Sequence, residues 1–166
     1  MAEAKGARLT HIGDSGEARM VDVSEKVVTL REARASGLVR MSREALDAVV
    51  RGNLPKGDVL GTARIAGIQA AKRTAELIPM CHPLPLSLVD VECAIDDRLP
   101  GIQITSVIRC EAKTGAEMEA LTAVAVAALT IVDMAKSADR WMTVESVGLL
   151  EKRGGKSGTL RRPKDR

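Results

Sequence analysis

Aromatic side chains are almost missing from this chain of 166 residues: Trp141 stands alone, with no Tyr and no Phe. A core must therefore come from Val, Leu, Ile, Ala and Met. The shortage also counts against a reader of single-stranded RNA or DNA, which stacks bases on aromatic platforms. Cysteine is scarce too. Cys81, Cys93 and Cys110 are odd in number and show no CxxC spacing, so a reduced chain is expected rather than a disulfide framework. Long apolar runs are absent. The longest nearly apolar stretch, 120–132, falls short of the roughly 20 residues that span a bilayer, and 1–16 is polar, unlike a secretory signal. Nor does one sign of charge dominate: 25 Lys and Arg oppose 22 Asp and Glu, for a formal charge of +3. That excess suits an anionic small molecule and is too weak to argue for nucleic acid. A soluble, cytoplasmic protein is expected, with neither a membrane nor a nucleic acid as partner.

What is present is the composition of a folded domain, 45% hydrophobic and 28% charged. The length favours one domain with a real core. Residues 1–19 are small, charged and Gly-containing and read as a mobile arm. Residues 20–158 read as a single catalytic domain, and 159–166 as a basic tail. No linker or repeat divides them.

Two strands are legible from period-two alternation. Val89, Val91, Cys93 and Ile95 alternate with Asp90, Glu92 and Asp96; after a Pro-Gly turn, Ile102, Ile104, Ile108 and Cys110 alternate with Gln103, Thr105, Arg109 and Glu111. That pattern predicts a β-hairpin with one buried face. A further strand is expected near 141–150. A helix is predicted over 58–78, opened by Asp58 and closed by Pro79, with Thr62, Gln69, Arg73 and Glu76 on its polar face. A second runs from after Gly115 to about 138, with Met118, Leu121, Ala125, Ala128, Val132 and Ala135 as its core stripe. Its middle is apolar nearly all round, which points to burial against both a sheet and another subunit. A short helix over 42–50 starts at Ser42. The stretch 20–41 is ambiguous, since Val27 to Leu30 favours strand and REARA favours helix. Taking strand, the order is strand, helices, strand, strand, helix, strand. This predicts an α+β, ferredoxin-like two-layer sandwich: an antiparallel sheet with helices on one face, plus one extra helix.

Several groups could do chemistry. Asp133 and Lys136 share a helix face at i and i+3, either as a surface ion pair or as an amine positioned by a carboxylate at a site rim. Lys56 precedes Gly57 and the capping Asp58, where a solvated loop lysine is the ordinary reading; Lys72 and Arg73 are likewise often solvent-facing. In Pro79-Met80-Cys81-His82-Pro83 two prolines fix the backbone around a Cys-His pair, so His82 reads as a site residue or a hydrogen-bonded structural one. Adjacent Cys and His rarely both ligate zinc, and Cys93 and Cys110 read as core thiols, so no metal site is expected. Gly154-Gly155-Lys156-Ser157-Gly158 lacks the glycine that a phosphate-binding loop needs five residues before Gly155, where Leu150 stands. Its glycines and lysine could still fold over a phosphate. Glu117 and Glu119 flank Met118 at a helix start, where they complement the helix dipole or face a ligand.

Taken together the chain resembles the cyclic pyranopterin monophosphate synthases, the MoaC family. The resemblance is carried by LTHI, GEARMVDVSEK, REARASG, KGDVLGTARIAGIQAAKRTAELIPMCHPLPL, KTGAEMEALTAVAVAALTIVDMAK and GGKSG, in order from about residue 9 to 158. It implies a homohexamer, a trimer of dimers, with sites at subunit interfaces. It implies a lyase that converts (8S)-3',8-cyclo-7,8-dihydroguanosine 5'-triphosphate to cyclic pyranopterin monophosphate and diphosphate, in molybdenum cofactor biosynthesis. Matched motif by motif, Asp133, Lys56 and Lys136 correspond to catalytic residues, and Met80, Cys81, His82, Met118, Glu119 and Lys72 to substrate-contacting ones. Lys72 and His82, helped by Arg31 or Lys156, would hold the triphosphate. No cofactor is implied, though Mg²⁺ could accompany the triphosphate. Val132 stands where the family often has Tyr, and EKRGG replaces the more usual AKSGG. The competing expectation is a non-catalytic ferredoxin-like module that binds an anionic nucleotide.

Overall fold

The computed structural model describes residues 18–98 and 100–163, so most of the expected arm lies outside the described residues. The elements follow in the order β1 (Thr29–Arg40), α1 (Arg43–Val50), α2 (Val59–Lys72), α3 (Thr74–Leu77), β2 (Leu86–Asp96), β3 (Gly101–Ala112), α4 (Glu117–Ala135), β4 (Thr143–Arg153) and β5 (Leu160–Arg161). All strand pairs are antiparallel, in the order β2-β3-β1-β4-β5. The first four strands thus have the ferredoxin-like order. The α4 helix packs on β1, β3 and β4, while α2 packs on α4 and β2. This is the expected two-layer sandwich, with α1 as the added helix.

The ambiguous stretch is a strand because it is central. REARA lies in β1, which pairs with β3 on one side and β4 on the other, and ladder bonds on both edges override a weak helix propensity. Ala33, Ala35 and Val39 face the helices with no exposed surface. Between them Gly37 admits α4, since a Cβ there would lie 2.7 Å from Val124 Cγ1. The hairpin forms as predicted, with Asp96 paired to Gly101, but only β3 is thoroughly buried; β2 is an edge strand with Val91 alone fully covered.

Helix starts fall where their capping residues stand. Ser42 Oγ accepts the Ala45 N–H at 3.2 Å, and Asp58 Oδ1 accepts the Gly61 N–H at 2.8 Å. The helix expected over 58–78 is two helices. Arg73 leaves helical geometry at φ −112°, and the buried Thr74 hydroxyl donates to the Ala70 and Ala71 carbonyls at 3.2 and 3.0 Å. A side-chain hydroxyl therefore serves carbonyls that a continuing helix would have used. The predicted polar face holds, with Thr62, Gln69, Arg73 and Glu76 all exposed.

The predicted stripe of α4 is borne out only in part, at Ala128 and Ala135. Ala120, Ala123, Val124, Ala127, Ala128, Ile131 and Ala135 are the residues with no exposed surface, whereas Met118, Leu121, Ala125 and Val132 are half-buried on its flank. An all-round apolar helix has no periodicity to fix its phase. Side-chain size decides instead: the small residues go where α4 lies closest to the sheet and to α2. Gly67 of α2 completes that approach, because a Cβ there would lie 2.8 Å from the Ala123 carbonyl oxygen. Within the expected basic tail, Leu160 and Arg161 pair with Lys152 and Glu151 as a short edge strand.

Candidate active site

The C-terminal end of α4 gathers the three residues expected to carry catalysis. Lys56, in the loop before α2, donates to Asp133 Oδ2 at 2.5 Å, and Lys136, capping α4, donates to Asp133 Oδ1 at 2.7 Å. Each carboxylate oxygen thus holds one ammonium. Gly57, at φ +79°, lets the chain turn between Lys56 and the N-cap Asp58, which brings the lysine beside the helix end. The Lys136 and Lys56 ammoniums hold the Asp133 carboxyl down at about 2. It is fully ionised at neutral pH, and all three side chains remain open to water.

The other expected site residues lie at the opposite end. The α2 and α4 helices run antiparallel, with Lys56 beside the end of α4 and Gly67 beside its middle. This carries the exposed Lys72, at the end of α2, toward the start of α4. Glu119 is 4% exposed in the first turns of α4, and burial pushes its carboxyl up to about 7. Cys81 and Cys110 sit near enough to Glu119 that its charge adds to burial in raising both thiols. Met80 is exposed in the loop that reaches Cys81, while His82 and Met118 are half-buried.

Arg31 joins this second group by geometry. Its Nε and Nη2 donate to the Ala112 and Lys113 carbonyls at 3.3 Å each. Gly155, at φ +70°, lies so close that a Cβ would strike the guanidinium, and Gly154, at φ +98°, turns against the Leu30 carbonyl. The GGKSG segment is therefore a left-handed turn seated on the start of β1, further tied by a Lys152 Nζ bond to Ser157 Oγ. Lys156 is exposed on it. Sequence reasoning named Arg31 and Lys156 but not this contact, which requires strands far apart in sequence to be neighbours.

The two groups do not meet in one chain. Asp133 and Glu119 are fourteen residues apart on one helix, about 21 Å at 1.5 Å per residue. Glu32 was missed entirely. It is 8% exposed on the sheet face away from the helices, accepting from Arg109 at 2.6 Å and Arg34 at 3.1 Å. The alternation of β1 places Glu32 and Arg34 on one face, but the third strand's Arg109 was not visible from it. Among the described residues no group of three or more His, Cys, Asp or Glu could hold a metal ion. By length and composition α4 could cross a membrane; here it is the central helix of the core.

Residues 20–155 match the MoaC family. The chain is 58% identical over 150 residues to the cyclic pyranopterin monophosphate synthase of Trichodesmium erythraeum, covering 90% of each chain. It is 59% identical over 153 residues to the protein of that name from Methylobacterium sp., covering 92% of this chain and 96% of the other. The corresponding Nostoc sp. protein is 57% identical over 152 residues, covering 92% and 90%. Both clusters except Lys156 lie inside the matched span, and on that match the chain belongs to the MoaC family.

Proposed function

We infer that the chain is a lyase converting (8S)-3',8-cyclo-7,8-dihydroguanosine 5'-triphosphate to cyclic pyranopterin monophosphate with release of diphosphate, in molybdenum cofactor biosynthesis. The observation that carries it is the identity of 57–59% with proteins of that activity's name over 90% or more of the chain. The Lys56–Asp133–Lys136 arrangement gives it a chemistry. Opening the purine five-membered ring, closing the new rings and forming the cyclic phosphate each move protons. Two ammoniums on one carboxylate supply a donor and, once one has given up its proton, an acceptor. In the free protein Asp133 holds both amines by hydrogen bonds, one to each carboxylate oxygen. A bound ring that drives out water makes the ammonium charge costly and eases proton release. Positioned groups of this kind contribute about 10²–10⁴-fold each.

The second cluster fits the substrate's other end. Arg31, fixed by two carbonyls, and Lys72, His82 and Lys156 would hold the triphosphate and stabilise the charge that develops as diphosphate leaves. Any Mg²⁺ would arrive with that triphosphate. Glu119, with a carboxyl near 7, exchanges a proton readily at cytoplasmic pH.

The two clusters of one chain stand about 21 Å apart along α4, so a compact nucleotide bound at one does not fill the other. We therefore place the site between two copies, in a homohexamer built as a trimer of dimers. Two features support that assembly: Leu129 of α4 is 60% exposed, and Val144 and Val147 of β4 are each 39% exposed. The test is turnover of the cyclised GTP derivative by purified protein. Equal release of diphosphate and pyranopterin product is expected. A folded protein that binds the compound without forming product would make it a nucleotide-binding module instead.

A further inference from the structure

The Arg31 guanidinium is held along one edge only. Nε and Nη2 lie on the same side of the planar fork and donate to the Ala112 and Lys113 carbonyls at 3.3 Å each. Both acceptors are backbone atoms at the end of β3, so the sheet fixes that edge. The outer end of the fork carries Nη1 and the second Nη2 hydrogen. Among the described residues no acceptor bonds it. A fork of this kind, with its side edge occupied and its end free, takes two oxygens of one phosphoryl group.

Gly155 stands against that outer end. A Cβ there would strike Nη1 and lie 2.9 Å from Cζ and 3.2 Å from Nη2. Its neighbour Gly154 meets something different, the backbone carbonyl of Leu30. The two glycines therefore do different work. Gly154 lets the turn lie on the β1 backbone, which cannot yield. Gly155 lets the turn approach the tip of a side chain, which yields by giving up its carbonyl bonds. The turn itself is closed by the Gly158 N–H, which donates to the Gly155 carbonyl at 3.1 Å, and Lys156 projects from it into solvent. We propose that Gly155 is a positioning residue for Arg31. Its bare backbone keeps the guanidinium on the Ala112 and Lys113 carbonyls, with the donors left over turned, beside Lys156, to the triphosphate. This rests on the reading of that cluster given above.

Binding is measured by calorimetry with inorganic triphosphate, and KM and kcat with the cyclised GTP derivative. Gly155→Ala should raise the triphosphate Kd about 10-fold or more, the size of one lost charge-assisted contact. KM should rise by a like factor, and kcat should fall by less. Gly52→Ala is the control. It adds a Cβ at a similar left-handed φ of +66°, with nothing within 4 Å and in neither cluster. It carries the backbone penalty alone, so triphosphate binding should stay as in wild type. Arg31→Ala should lose at least as much binding as Gly155→Ala, and the double variant should be no worse than Arg31→Ala, because the glycine acts through the guanidinium. Losses that multiply, or a Gly155→Ala chain that binds triphosphate as Gly52→Ala does, overturn the proposal. If Gly155→Ala does not fold, the same pair is read from folding: Arg31→Ala should restore it, and an equally unfolded double variant overturns the contact. The expected binding pattern in a protein that forms no pyranopterin keeps the positioning role and removes the lyase. Product formation with Kd and KM unmoved in Gly155→Ala keeps the lyase and removes the positioning role.

Discussion

Asp133 and Glu119 belong to one helix and are held in opposite electrostatic states: Lys136 and Lys56 keep Asp133 down at about 2, while burial pushes Glu119 up to about 7. At neutral pH the first is a fixed anion and the second stands near its midpoint. A single apolar helix thus presents a charge clamp at one end and a titrating acid at the other.

Asp133→Asn keeps the shape and removes the charge that holds both ammoniums. Product formation should fall about 10²–10⁴-fold. The group is exposed, so the thermal midpoint near pH 7 should scarcely move. Steady-state turnover beside a melting curve separates the two effects.

Lys56→Ala and Glu119→Gln damage different half-sites. Each alone should be nearly inactive. Subunits of the two variants mixed and reassembled should recover activity up to about one quarter of wild type, the share of sites that random pairing leaves intact. No recovery on verified mixing would place both residues in one chain's site.

Glu119 also makes stability depend on pH. Its folded-state value of about 7 lies above the ordinary 4.5, so between those values the folded chain binds more protons than the unfolded one. The contribution is therefore present at low pH, declines as pH rises from about 4.5 to 7, and is level above that. Glu119→Gln should remove this decline in melting curves taken from pH 4.5 to 8. The Asp133 contribution has the opposite sign. Small because the pair is exposed, it is present above about 3.8 and lost as pH falls toward 2.

Gly67→Ala tests the close contact of α2 with α4. The added Cβ would lie 2.8 Å from a backbone carbonyl, which cannot rotate away as a side chain can. Destabilisation of about 1–3 kcal/mol is expected, read as a lower urea midpoint with an unchanged slope.

Ser42→Ala removes the cap of α1 and leaves the Ala45 N–H without its acceptor. A loss of about 1 kcal/mol is expected in the same assay. Ser42→Asp should recover most of it.

Much of this was legible beforehand where local chemistry acts alone. Ser42 and Asp58 mark their helix starts because a capping oxygen needs only the next three residues. The β2–β3 hairpin is legible because period two exposes one face and buries the other. Thr74 was not legible as a helix stop, since its hydroxyl takes up that task only when buried. The phase of α4 was not legible either, because every face of it is apolar. Lys56, Asp133 and Lys136 were each picked out by their motifs, but only Lys136 and Asp133 are neighbours in sequence.

By itself the sequence determined most of the strands and helices, though it left β1 ambiguous and did not show β5 or the break at Thr74, and it determined the lack of stacking side chains and the family, each a matter of nearby residues or of pattern along the chain. The tertiary structure alone decided that Lys56 meets Asp133, that Arg31 is locked between the Ala112 and Lys113 carbonyls and the paired glycines, and that Glu119 is buried enough to titrate near neutrality. It also decided that the two clusters gather at opposite ends of α4. Those are consequences of which distant segments share a low-dielectric neighbourhood, and neither a distance nor a dielectric exists until the chain has packed.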